Sequence, residues 1–174
     1  MIKKTYKGII TSLPPNGIFV YGANTEGRHG AGAAKVAKEK FGAIYGKTGL
    51  QGQSYGIITK DLGATSHPSI SIEAITKQIA DLYEFARQRP DLEFYVAYSG
   101  NGKNLNGYTS EQMASMFALH PVPDNIVFEE EFYKLVYSTA IFLSSLLYVA
   151  TGYLDDGTKY TAIGDLSNLL RAEF

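Results

Sequence analysis

Residues 17–34 read GIFVYGANTEGRHGAGAA. The opening GIFVYG is made of the apolar, β-branched and aromatic residues that fill a buried strand. From Gly22 to Ala34 the chain is dense in glycine, and residues 31–41 (AGAAKVAKEKF) are rich in helix formers. A strand, a glycine-rich turn and a helix in immediate succession suit an anionic ligand such as the phosphates of a nucleotide. Glycines let the backbone come close, successive N–H groups point at the anion, and the helix N-terminus adds a favourable dipole. Within the turn, Arg28 can supply a bidentate charged contact and Asn24 can read a hydroxyl or carbonyl.

Outward from this segment, strands and helices alternate. Upstream, residues 6–10 (YKGII) read as a strand, closed by the turn Leu13-Pro14-Pro15-Asn16-Gly17. Downstream, Gly42, Gly46, Gly49, Gly52 and Gly56 predict a loop, and residues 55–59 (YGIIT) a short strand. Ile72, Ile75, Ile79, Leu82 and Ala86 recur at spacings of three and four, one apolar helical face capped by Ser71 and stopped before Pro90. Residues 93–99 (EFYVAYS) predict a strand that runs into a second glycine-rich loop, 100–108 (GNGKNLNGY). Thr109-Ser110-Glu111-Gln112 is a capping-box sequence opening a helix to about Leu119. A brief strand at 125–128, a long helix over 129–150 and a small hairpin around Asp155-Asp156-Gly157 complete the chain. The expectation is one α/β domain of layered, three-layer α/β/α type. Its core spans 1–132, and residues 133–174 form a helical and hairpin extension packed on it.

Composition limits the function. The chain has 174 residues, 45% hydrophobic and 19% charged, which suits a single well-buried domain. With 16 Lys+Arg against 17 Asp+Glu there is no basic excess to track a phosphate backbone, so nucleic acid is not expected as a partner. The absence of cysteine removes disulfides, thiolate metal sites and Cys nucleophiles, and fits a reducing cytoplasm. His29, His67 and His120 lie far apart, and the carboxylates of Glu129-Glu130-Glu131 diverge on a helix start, so neither a metal nor a resident cofactor is assigned. The N-terminal MIKKTYKGII lacks the apolar region of a signal peptide. Residues 135–154 carry no charge, yet Ser138, Thr139, Ser144, Ser145, Thr151, Gly152 and three tyrosines at 137, 148 and 153 dilute them, so a buried helix is expected rather than a membrane span. The same aromatic segment could alternatively serve as a homo-oligomer interface.

Familiar nucleotide motifs fail. Residues 22–29 have the glycine spacing of a P-loop but Arg28-His29 in place of Lys-Ser/Thr. Residues 41–48 end in Gly46-Lys47-Thr48 with the first glycine one place late. Gly30-Ala31-Gly32 begins a dinucleotide fingerprint that Lys35 interrupts, and no Gly-x-Ser-x-Gly elbow is present. The segment IFVYGANTEGRHGAGAAKVA resembles the first ligand loop of macro domains, a strand running into a glycine cluster and a helix. YVAYSGNGKNLNGYTSEQMASMF resembles their second loop, and GQSYGIIT the glycine-tyrosine stretch between them. GRHGAGAAK with GLQGQSYGI looks like small bacterial and phage proteins of macro-like type. The resemblance spans about residues 7–132. It implies an α/β/α sandwich that binds ADP-ribose or a related NAD-derived nucleotide, to hydrolyse or sequester it. Asn24 would face the distal ribose, and Gly30, Ala31 and Gly32 the diphosphate; Gly22 and Arg28 are further ligand-binding candidates of the same loop, read from the loop itself. Ser99, Gly100, Asn101, Gly102 and Tyr108 would form the other jaw. Two departures stand out: Ile9 and Ile10 replace the adenine-binding Asp after the first strand, and Gly32-Ala33-Ala34 offers no hydrolytic carboxylate.

His29, beside Arg28, is the candidate catalytic residue, as a general acid or base near neutral pH, with Glu26 as a possible partner. Two other functions compete with nucleotide binding: an interaction or assembly module working through the aromatic C-terminal segment, and a phosphotransferase built on Gly46-Lys47-Thr48.

Overall fold

The computed structural model describes residues 3–100 and 104–153. In chain order the elements are β1 (Thr5–Tyr6), β2 (Gly17–Asn24), α1 (Gly32–Lys40), β3 (Gly49–Gln51), β4 (Ser54–Lys60), α2 (Ile72–Gln88), β5 (Glu93–Val96), α3 (Ser110–Ala118), β6 (Ile126–Glu129) and α4 (Glu130–Tyr153). The strands form one mixed sheet in the order β1-β6-β5-β2-β4-β3. Every neighbouring pair is parallel except β3–β4, an antiparallel hairpin at one edge.

Parallel strands are joined by helices that cover both faces of their sheet, so the strands read as continuous apolar runs. GIFVYG is such a run. Ile18 and Val20 point into a core shared with Ile75, Ile79 and Leu82 of α2, Ala114 and Phe117 of α3, and Phe132 of α4. Phe19, Tyr21 and Ala23 point into a second core with Ala34 and Ala37 of α1 and Phe41. Helix α1 therefore covers one face, and α2, α3 and the start of α4 cover the other. The expected caps are present: Ser71 Oγ accepts from Ala74 N at 3.2 Å, and Thr109 and Gln112 exchange both bonds of a capping box.

Three expectations need correction. The first strand stops at Tyr6, because Gly8 takes φ +76° and turns the chain out of the sheet. The glycines of 42–56 do not make a plain loop: Gly49 and Gly52, at positive φ, frame the β3–β4 hairpin. Tyr153 ends α4 and not a strand; the rest of the expected hairpin lies outside the described residues. One compact unit runs from Met1 to Ala140 and includes Leu135 and Val136 in its core; a second begins at Ile141, its described part being the remainder of α4. Among the described residues no helix is long and apolar enough to cross a membrane.

Leu82 is fully buried where α2 meets the sheet. Leu82→Ala is expected to cost about 2–5 kcal/mol. Urea unfolding should show the midpoint falling with the slope unchanged.

Candidate ligand-binding site

The connections after β2 and β5 leave the sheet in opposite directions. From β2 the chain crosses through α1 to β3 and β4; from β5 it crosses through α3, on the other face, to β6. Since β2 and β5 are neighbours, a crevice opens beyond their carboxyl ends, the place where open α/β sheets bind ligands. A cavity of about 490 Å³ occupies it. Its wall includes Gly22 and Thr59 at strand ends, residues 31–34 at the start of α1, residues 97–99 beyond β5, residues 104–106 of the second loop, and Met113 and Phe117 of α3. The size suits a small organic ligand. Among the described residues none of this wall carries a charge.

Helix α1 begins at this wall without a capping side chain at its N-cap. Its N-cap, Ala31, is extended (φ −152°, ψ 168°) and makes no side-chain cap, and no acidic residue lies in the first turn. Helix starts leave N–H groups that accept an anion readily. Two glycines shape the approach. A Cβ on Gly22 would lie 2.9 Å from Thr59 Oγ1, and Gly32, at φ +56°, sits beneath Leu105, whose Cδ1 would be 2.9 Å from an added Cβ. Leu105, itself exposed, thus links the two glycine loops across the opening.

Of the residues expected at the site, Gly22, Ala31, Gly32 and Ser99 line the cavity. Gly100 lines a smaller adjoining depression with Gly8, Glu129 and Glu131. Asn101 and Gly102 lie outside the described residues. The others lie off the wall, Asn24, Arg28 and Tyr108 engaged in bonds of their own. Asn24 clamps the turn: its Nδ2 donates to Arg28 O at 2.7 Å and its Oδ1 accepts from Arg28 N at 2.9 Å. The Arg28 guanidinium pairs with Glu26 at 2.7 Å on the exposed rim. Gly30 has open space around it and is not part of the wall. Tyr108 is buried, and its hydroxyl donates to Ile70 O at 2.7 Å, tying the second loop to the approach to α2. Gly46 N donates to Gly27 O, and Gly27, at φ +61°, has no room for a Cβ against Gly46, so the Gly46-Lys47-Thr48 segment braces the first loop from outside.

His29 is buried behind the wall. Its Nε2 lies 3.0 Å from the hydroxyl of Tyr21, a wall residue. Burial first, then the nearby Lys38, pulls the imidazole below its ordinary range, against an opposing contribution from the Gly27 backbone. A neutral ring anchoring the glycine loop to β2 is what this geometry provides. Asp61 accepts from Thr25 Oγ1 and Gly63 N, a turn role. Among the described residues no group of three metal-ligating side chains converges. Thr59, Tyr98, Leu105 and Phe132 were not singled out from the sequence. Thr59 was within reach, as the last residue of YGIIT and hence at a strand's carboxyl end.

No family model matches the chain, and no curated protein matches its sequence.

Because folding depresses the His29 pKa, the unfolded chain takes up a proton there at higher pH than the folded one. The stability from keeping the ring neutral is complete above the unfolded value of about 6.5 and is lost as pH falls towards the folded value. The thermal midpoint of the wild type should therefore drop from pH 7 to 5 more steeply than that of His29→Gln, and parallel curves would contradict this.

Proposed function

We propose that this chain binds a nucleotide of the ADP-ribose type in the crevice beyond β2 and β5, with the diphosphate against the first turn of α1. The observation that carries the reading is the meeting of a ligand-sized cavity at the strand switch with a helix N-terminus that lacks a side-chain cap, in a wall whose described residues are uncharged. Backbone N–H groups and the helix dipole neutralise an anion there without a cationic side chain. The likeness of both glycine loops to those of macro domains supplies the ligand class. Among its described residues the wall offers the hydroxyls of Thr59 and Ser99 and no carboxylate or imidazole, which favours binding or sequestration over a general acid–base step.

A second reading, self-association, is supported by the stacked pair Tyr133–Tyr137 on α4, with ring centroids 5.7 Å apart and Tyr137 54% exposed. Light scattering that reports a monomer at high concentration would remove it.

Ala31 provides a sharp test of the main reading. It is exposed and has the extended backbone of an N-cap, so Ala31→Asp should cap α1 and stabilise the free protein by about 1 kcal/mol. The same carboxylate would occupy the N–H groups proposed for the diphosphate. For the wild type, ADP-ribose at about 100 times its dissociation constant adds about 2.7 kcal/mol, roughly 5–11 °C in midpoint for a domain of this size. In Ala31→Asp the free midpoint should rise and the ligand shift should vanish. A full shift in the variant would place the anion elsewhere.

A further inference from the structure

His29 is a buried imidazole close in the chain to the start of α1. We infer that it links ligand binding to protons: the ring takes up a proton as the diphosphate settles on the first turn of α1, so binding tightens as the pH falls below neutrality. The inference rests on the nucleotide reading above and adds a regulating group to that site. His29 lies two residues before Ala31, the N-cap of α1, and is 7% exposed. Its Nε2 is 3.0 Å from the hydroxyl of Tyr21, and the two rings are tilted with centroids 5.8 Å apart. Tyr21, Ala31 and Gly32 share the cavity wall, so the imidazole is bonded to the same wall that presents the helix start.

The surroundings leave room for a second proton. Nδ1 is buried without a hydrogen-bond partner among the described residues, so protonation breaks no bond there. At Nε2 the Tyr21 hydroxyl, which burial keeps neutral, serves a charged ring as acceptor. Tyr21 faces the ring from β2 and Lys38 from α1, while the neutral Gln51 of β3 bonds the Tyr21 hydroxyl. Within the loop, Arg28 and Glu26 pair with each other on the exposed rim. Burial first, then Lys38, disfavours the charged ring, and the Gly27 backbone favours it. The positive end of the α1 dipole acts in the same sense as Lys38. A diphosphate on the first turn of α1 reverses that balance, because it offsets the dipole and places negative charge within a helical turn or two of the ring. At the effective dielectric of a partly buried site, that attraction changes affinity roughly three- to tenfold. A ring that holds its proton more firmly in the complex than in the free protein strengthens binding most at low pH. The gain is lost as the pH rises through the value of the complex.

Histidine-ring NMR on the full chain, titrated in pH with and without saturating ADP-ribose, tests this. The His29 signal should titrate at higher pH in the complex, while His120, past the end of α3, keeps its midpoint as a reference. Calorimetry at pH 6 in two buffers of different ionisation enthalpy should show proton uptake on binding. From pH 7.5 to 5.5 the dissociation constant should fall roughly three- to tenfold. The diphosphate keeps its charge throughout that range, so the proton is the protein's. Lys38→Gln, an exposed change outside the cavity wall, removes a charge that opposes the proton, and the pH range of tightening should move up. An unmoved range there would overturn the assignment of the proton to His29. An unmoved His29 midpoint at saturation, or equal uptake in His29→Gln, overturns the inference and leaves the nucleotide reading standing. Failure of ADP-ribose to bind at any pH overturns both.

Discussion

Strand β2 has a parallel neighbour on each side and a packed core on each face. Its pairing with β4 and with β5 leaves no edge, and its side chains alternate between Ile18 and Val20 in one core and Phe19, Tyr21 and Ala23 in the other. A strand so enclosed has one exit, at its carboxyl end, and the chain must leave there into a helix. It leaves through α1 on one face, while β5 beside it leaves through α3 on the other. The cavity is the consequence of that divergence. The sheet could not be connected in this order without opening space between the two exits.

The first glycine loop is held by contacts within it and by the elements behind it. Asn24 closes the turn onto Arg28, Gly27 packs on Gly46 too closely for any side chain, and His29 is anchored to Tyr21. These contacts place the start of α1 at the wall and leave its first N–H groups without a side-chain cap. A site whose described residues are uncharged and which offers a helix start suits a ligand that brings its own charge, because it adds no second charge to desolvate when the ligand is absent.

The elements that follow from local chemistry were legible in the sequence. The period of Ile72 to Ala86 with its Ser71 cap, the capping box at Thr109 and the apolar run of β2 all recur in the structure close to the expected bounds. What the sequence hid depends on distant contacts. The edge strand Gly49–Gln51 exists because β4 pairs with it, which glycine content alone argued against. The roles of Asn24, Arg28 and His29 are not legible in the sequence for a related reason. A polar residue in a glycine loop looks the same in sequence whether it faces a ligand or ties down the loop, and only the bonds to Arg28, Glu26 and Tyr21 separate the two. Conversely Phe132 and Tyr98 reach the cavity from elements far apart in the chain, so no local pattern marked them.

The claim at the centre is that the start of α1 and the exit of β5 are two walls of one ligand site. Amide chemical-shift mapping on the labelled protein titrated with ADP-ribose addresses it directly. The largest changes should fall on Ala31, Gly32, Ala33 and Ser99, with Thr59 following. Changes confined to the Glu26–Arg28 rim or to α4 beyond Tyr133, with the α1 amides unmoved, would contradict it.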